Sequence, residues 1–415
     1  MERKRVVITG VSAITPIGMT AHESWDALLA GRSGISKITQ FDTTGFDTDI
    51  AGEIKNFDPE TYIPRKLSRH MDRFVQLSAC ASVQLMEDSG YRVTDENAER
   101  FGVILGVGLG GLNTIERFHS RILEAGPSRV SPFSIPMLIP NMAPGQVAIL
   151  AGAKGENLVL TSACASSAHA ISMAYTEIVM GRADAFITGG SESTITAMGI
   201  SGFTSMKALC TKYNDEPEKA SRPFDADRGG FVMGEGAGLL FVESLESALK
   251  RGAHIYAEIA GCGASCDAYH IVAPREDAEG MAAAMRSALN DAGVRPEAVD
   301  YINAHGTSTV ANDAAETKAL HLVFKDHARK LAISSNKSQV GHLLGAAGGA
   351  EAVFTALALE SGIVPGTLNL TNPDPACDLN YMPDGPKKLD PEYALSNSFG
   401  FGGTNASILF KKYRP

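Results

Sequence analysis

Residues 158–181, LVLTSACASSAHAISMAYTEIVMG, and residues 331–359, LAISSNKSQVGHLLGAAGGAEAVFTALAL, decide the fold. Each runs an apolar strand into a helix of small residues. Ala165-Ser166-Ser167-Ala168 and Gly345-Ala346-Ala347-Gly348-Gly349 carry little side-chain bulk. Glycine inside a helix costs about 1 kcal/mol relative to alanine, so such a concentration predicts a compensating close approach. The expected picture is two equivalent helices at the centre, between two sheets, with their N-terminal ends near one site.

The surrounding segments repeat in the same order. RVVITGVSA (5–13) and YAEIAGCGAS (256–265) read as first strands, each followed by a long excursion. Helical RFVQLSACASVQLMEDSGY (73–91) matches GMAAAMRSALNDAGV (280–294), and both stop at an Asp–x–Gly suited to a helix C-cap. Strands FGVILGVG and VDYINAHG follow, then the two opening stretches. Gly-rich segments GFVMGEGAGLLFVE and NSFGFGGTNASILF close the halves, each read as a strand pair. Alternating strands and helices argue for α/β. The repetition argues for duplication, with one half over 1–255 and the other over 256–415.

The bulk numbers suit this plan. The chain has 415 residues, 44% hydrophobic and 20% charged, so a large two-part core is expected and disorder is not. The basic start MERKRVVITG is interrupted by Thr9 and Gly10 after three apolar residues, so it does not read as a signal peptide. No apolar run reaches the roughly 20 residues that span a bilayer. Six cysteines without regular spacing point to free thiols in a reducing compartment, and a cytoplasmic location is expected. A net charge of −10 argues against general nucleic-acid binding and requires a local basic patch for any acidic partner.

Chemistry concentrates at three places. Cys164 lies between strand and helix, where a thiol is expected to be exposed and the helix N-terminus favours thiolate. From its local sequence it reads equally as a buried structural thiol. His305 follows the strand at 299–302, and His342 opens the second central helix. One cysteine and two histidines at matching places of a duplicated fold suit carbon–carbon bond formation better than hydrolysis. The thiol can hold an acyl group as a thioester. Two neutral imidazoles can donate hydrogen bonds to the enolate oxygen left when a malonyl thioester loses carbon dioxide. Lys337 and Glu351 flank His342 among small apolar residues and are expected to form a partly buried pair that sets the protonation of the histidines.

Other patterns carry less. Ser398–Asn405 is Gly-dense around Phe399 and Phe401 and reads as a hinge with an aromatic gate, or as a plain β-turn. Gly106–Gly111 fits G-x-G-x-x-G, but Pro-rich sequence follows where a dinucleotide fold needs a strand. Cys262, Cys266 and His270 lack a fourth partner for zinc, and no metal is expected.

The chain resembles a β-ketoacyl-acyl-carrier-protein synthase of the elongating kind over essentially its whole length. The carrying motifs are Thr161-Ser162-Ala163-Cys164-Ala165-Ser166-Ser167, Asn303-Ala304-His305-Gly306-Thr307-Ser308-Thr309, Lys337 with His342–Gly348, and Asn397–Asn405. The resemblance implies a thiolase-like fold, two βαβαβαββ halves in a layered αβαβα core, as a homodimer. It implies Cys164 as acyl acceptor and the backbone amides of Cys164 and Phe401 as oxyanion hole. His305 and His342 would promote decarboxylation, Lys337 would be supported by Glu351, and Phe401 would be the gate. Thr307 and Thr309 would bind the phosphopantetheine arm. Phe399, Leu109, Phe203 and the dimer mate's Phe133 would shape the substrate site, with no bound cofactor. An acidic acyl carrier protein would dock on Lys66, Arg69, Arg129 and Lys207, with Arg65 and Arg73 adding to the first cluster. Val310 and Asn336 stand where the family often has Pro and Thr, and touch no proposed catalytic group.

The resemblance also frames the alternatives. A starter-type synthase has Asn where His342 stands. A thiolase would carry a second catalytic Cys in the last Gly-rich loop, and Ser396–Asn405 has none. A polyketide ketosynthase shares the chemistry. A non-catalytic chain-length partner subunit lacks the nucleophile.

Overall fold

The structure, a computed structural model, describes residues 3–414. The first half contributes strands β1 (Val6–Ile14), β2 (Phe101–Gly106), β3 (Asn157–Leu160), β4 (Ala185–Glu192) and β5 (Gly236–Ser244). The second contributes β6 (Ala257–Cys266), β7 (Tyr301–Asn303), β8 (Ala332–Ser334), β9 (Tyr393–Gly400) and β10 (Thr404–Lys412). Their order across the sheet is β8-β7-β9-β10-β6-β1-β5-β4-β2-β3. Counted within each half, both run third, second, fourth, fifth, first. In both, the second strand pairs parallel with the third and fourth, and the last pairings are antiparallel. The duplication is therefore written in the hydrogen bonds.

The expectation of two separate sheets needs a correction. The halves form one ten-stranded sheet, because their first strands pair through Val6↔Ile259, Val7↔Glu258 and Ile8↔Ala257. The sheet folds back at this short ladder. Helices α4 (Ser166–Val179) and α7 (Ala347–Ser361) lie in the fold and pack on strands of both halves. Outside the first half lie α1 (Arg73–Ser89) and α3 (Met142–Ala151), with α2 (Leu112–Ala125) following β2, and outside the second α5 (Glu279–Ala292) and α6 (Val310–Phe324). Helix α1 starts where the Asp72 carboxylate accepts from the Phe74 amide. Helices α1 and α5 end at Gly90 (φ 59°) and Gly293 (φ 66°), as the Asp–x–Gly stops predict.

A second correction concerns the close of the first half. Residues 230–243 hold one strand, β5, not a pair; its partners are β1 and β4, and the 43 residues 193–235 separate it from β4. The backbone just before β5 is occupied elsewhere. Phe231 bridges Leu209, Met233 bridges His342 and Gly234 bridges Gly52. This stretch lines the functional site instead of the sheet.

The small residues of the central helices serve contact with strands more than helix–helix contact. A Cβ on Gly238 of β5 would lie 2.1 Å from the Ala350 nitrogen, and one on Gly349 would lie 2.3 Å from the Gly238 oxygen. Gly348 alone faces the other helix, at Ala168. Overpacking a core costs about 1–3 kcal/mol, and here the obstacle is backbone that cannot rotate away. Gly238→Ala is expected to destabilise by at least that amount, measured as the denaturation midpoint; an unchanged midpoint would refute the contact.

Candidate active site

Strand β3 ends at Leu160, and the chain turns through Thr161–Ala165 into α4. Ala163 sits at φ 50°, a left-handed conformation that costs a non-glycine residue about 1 kcal/mol or more. Two bonds from Ser166 hold the turn: its hydroxyl donates to the Ala163 carbonyl (2.7 Å) and accepts from the Ser162 amide (2.9 Å). The turn presents Cys164 to a cavity of about 370 Å³. The sequence reading expected an exposed nucleophile. The Cys164 side chain is instead buried, 7% exposed, because the β9–β10 hairpin tip lies over it. A Cβ on Gly400 would come 3.2 Å from the Cys164 amide nitrogen. Burial pushes the thiol up to about 12, against the pull of Lys337's charge and of the Phe401 amide on the sulfur. The resting group is thus a thiol, not the thiolate that a helix N-terminus alone would favour.

His305 and His342 reach the same point from the second half. The Cys164 sulfur and a ring nitrogen of each histidine all lie within 4.8 Å of one another. The imidazoles meet edge to face, with centroids 5.3 Å apart. His342 is held by its backbone: its amide donates to Val232 (2.7 Å), and its carbonyl accepts from the Gly234 amide (2.9 Å). The Leu344 amide points at Nδ1 (3.4 Å), so the proton sits on Nε2, which has no partner among the described residues. Burial, and then Lys337, depress both histidines well below their usual range, so both are neutral.

Among the described residues these three make the sole grouping of metal-type ligands. The Nε2–H of His342 offers a donor to an oxygen where a metal would need a lone pair. Cys262 and Cys266 stay on β6, while His270 Nδ1 accepts from the Val272 and Ala273 amides, so that spacing makes no cluster.

Lys337 and Glu351 form the expected pair, and both are about 1% exposed. Burial raises the Glu351 carboxyl, and Lys337 pulls it back. Thr307, Thr309, Phe203, Phe399 and Phe401 all line the cavity, and the two threonine hydroxyls lie 2.9 Å apart. Phe401 faces Phe203 at 6.4 Å, and Phe399 stands edge-on to His305 at 5.7 Å. Leu109 and Phe133 are not in this wall; they are 47% and 42% exposed.

Lys66, Arg69, Arg129 and Lys207 are exposed, and Lys207 also lines the cavity mouth. Arg73 does not join them. Its guanidinium turns inward to buried Glu235, at 2.7 Å.

Sequence reasoning missed two carboxylates and one aromatic. Phe231 stands edge-on to His342 at 5.3 Å. Glu316 accepts from the His305 amide (2.9 Å), the Gly306 amide (2.8 Å) and Asn397 Nδ2 (3.2 Å). Glu192 accepts from the amides of Gly108, Leu109 and Gly110, so the nucleotide-like glycine loop is filled by the protein's own carboxylate. Burial pushes each carboxyl up to about 7. Each braces the loop after the second strand of one half. The available signal was an acidic residue inside an otherwise small or apolar run, Gly189-Gly190-Ser191-Glu192 and Ala314-Ala315-Glu316.

With this geometry in place, comparison with known proteins is direct. The family model for the beta-ketoacyl synthase N-terminal domain matches residues 3–248, and that for the C-terminal domain matches residues 256–371. The chain belongs to the β-ketoacyl synthase family. It is 50% identical over 414 residues to a 3-oxoacyl-[acyl-carrier-protein] synthase 2 from Synechocystis, covering 100% of this chain and 99% of that protein. A protein of the same name from Vibrio cholerae is 48% identical over 414 residues, covering 99% and 100%. A β-ketoacyl synthase from Burkholderia phymatum superposes with TM-score 0.92 at 38% identity, covering 99% and 100%. A type II polyketide ketosynthase, solved in complex with its acyl-carrier protein and bound to the hexaketide, gives TM-score 0.93 at 32% identity, covering 100% of both. The β-ketoacyl synthase fold is thus the thiolase-like αβαβα arrangement described above.

Proposed function

We propose that this β-ketoacyl synthase elongates fatty acids by condensing acyl-[acyl-carrier-protein] with malonyl-[acyl-carrier-protein] to 3-oxoacyl-[acyl-carrier-protein], with loss of carbon dioxide. The observation that carries this reading is one thiol and two neutral imidazoles converging in an apolar-walled cavity. The thiol of Cys164 attacks the acyl thioester, and its proton leaves with the pantetheine sulfur. The amides of Cys164 and Phe401 receive the carbonyl oxygen as it becomes negative. Malonyl thioester then loses carbon dioxide, and N–H groups of His305 and His342 donate to the enolate oxygen. The enolate carbon attacks the acyl-Cys164 carbonyl, and the sulfur leaves to recover a proton. Lys337, backed by Glu351, adds to the burial that keeps the imidazoles neutral and eases departure of the thiol proton. Thr307 and Thr309 hold the pantetheine arm, and Phe401 opens and closes above the sulfur.

The curated fatty-acid relatives are nearer, at about 50%, than the polyketide ketosynthase at 32%, and favour the fatty-acid pathway. The complex solved for that ketosynthase supports an acyl carrier protein as partner, docking on Lys66, Arg69, Arg129 and Lys207. A homodimer is supported by β3 at the sheet edge, with Ile149 (73% exposed) on α3 packed beside it and Ile135 (60%) and Leu123 (75%) nearby in sequence. In such a dimer Leu109 and the mate's Phe133 would complete the acyl chamber. We take the halves to divide at residue 255, and the six free thiols to reflect the cytoplasm.

The test is steady-state condensation with acyl carriers from short to long chain. One carbon dioxide per 3-oxoacyl product is expected from this chain alone. Activity only after a second, different subunit is added would favour the chain-length partner reading.

A further inference from the structure

Glu192 ends β4 and takes no part in the steps above. Its carboxylate is fully buried, and every hydrogen bond it accepts comes from backbone. Gly108 (2.7 Å), Leu109 (3.1 Å) and Gly110 (3.2 Å) belong to the loop after β2, in the first half. Gly345 (3.3 Å) belongs to the second half, in the turn between His342 and α7. The glycines make this approach possible. A Cβ on Gly108 would lie 2.4 Å from Oε2, and one on Gly345 would lie 2.6 Å from it.

The Gly345 carbonyl accepts from the Ser167 hydroxyl, so the peptides on both sides of Gly345 are held. Its neighbour Leu344 sits at φ 50° and directs its amide at His342 Nδ1. That amide determines which imidazole nitrogen carries the proton. A left-handed leucine needs support from outside, and the bond from Gly345 to Glu192 supplies it.

We infer that Glu192 is a positioning residue for decarboxylation: by tying Gly345 to the Gly108–Gly110 loop it holds the Leu344 amide on His342 and keeps Nε2–H aimed into the cavity. The inference deepens the proposed function and rests on it. A carboxylate is required because two oxygens receive amides from four residues. A glutamine retains one acceptor oxygen and turns an NH₂ against the other N–H groups. The effect is expected to be selective, because the charge of ionised Glu192 raises the Cys164 thiol, and removing it should not slow acylation.

The test separates the two half-reactions in the full-length enzyme. Carbon dioxide release from malonyl carrier is measured in a Cys164→Gln background, and acylation of Cys164 is followed by mass spectrometry in the native background. Glu192→Gln is expected to lower the rate constant of carbon dioxide release roughly 10–100-fold, the scale of losing an orienting partner behind a site residue. KM for malonyl carrier and the acylation rate should stay within about threefold, and Glu192→Asp should recover part of the loss. Unchanged carbon dioxide release, or a parallel fall of both half-reactions, overturns the inference. Should Glu192→Gln fail to fold, Gly108→Ala presses on the same oxygen. Its decarboxylation defect should be relieved by adding Glu192→Asp, which withdraws the carboxylate; no relief overturns the inference. A Cys164→Gln parent that releases no carbon dioxide overturns the decarboxylation reading, and this inference with it.

Discussion

Cys164→Ala is expected to abolish acyl-enzyme formation and to lower condensation roughly 10⁴–10⁶-fold, the scale seen when a covalent nucleophile is removed. Cys164→Gln should be equally dead in condensation yet still release carbon dioxide from malonyl carrier. The two outcomes differ for a geometric reason. Alanine leaves a void under the hairpin tip, whereas glutamine places an amide carbonyl where the thioester carbonyl of the acyl-enzyme would stand, facing the Phe401 amide. His305 and His342 are untouched in both variants. An acyl adduct on the Cys164→Ala protein, sought by mass spectrometry, would sink the nucleophile assignment. Failure of Cys164→Gln to release carbon dioxide above background would count against the two-histidine role.

How legible was this thiol? Its place between strand and helix was plain in residues 158–166, because small residues follow an apolar run there. Its burial was not, since the cover comes from residues 400–403, more than two hundred positions away. The same distinction runs through the site. His305, His342, Lys337 and Glu351 lie in marked local patterns, and the structure brings them together as those patterns imply. Glu192 and Glu316 act through backbone amides of other loops, so an acid inside a small-residue run was visible in the sequence but its partners were not. Arg73 shows the opposite failure. Beside Lys66 and Arg69 it reads as surface charge, but Glu235, far along the chain, draws it inside.

The fold follows the same rule. Helix ends at Gly90 and Gly293 could be read because a C-cap is a local requirement for a left-handed residue. The order of segments could be read because it is repeated. The union of two sheets could not, because it rests on the short ladder between Val6–Ile8 and Ala257–Ile259. Neither segment carries a sign of which edge will be left open.

Lys337→Met is the second large effect. It leaves Glu351 buried without its cation, and breaking a buried pair from one side costs about 3–5 kcal/mol. Glu351→Gln strands the ammonium in the same way. The double variant Lys337→Met/Glu351→Gln leaves no unpaired charge, so its loss of stability in chemical denaturation should fall well below the sum of the singles. A strictly additive double would show that Lys337 and Glu351 do not act as a pair. The chemistry gives an independent readout at the sulfur. Lys337 pulls the Cys164 thiol down and Glu351 pushes it up, both against the larger effect of burial. Lys337→Met should therefore slow alkylation of Cys164 at every pH and move its rise further into alkali, while the double variant returns part of the way. His305 and His342 remain neutral throughout, because burial is the larger cause of their depression and survives the substitution. Decarboxylation should then suffer less than acylation in the folded fraction, the reverse of the split expected for Glu192→Gln. One buried charge thus serves the sulfur while the other braces an imidazole, and a pair of half-reaction assays separates them.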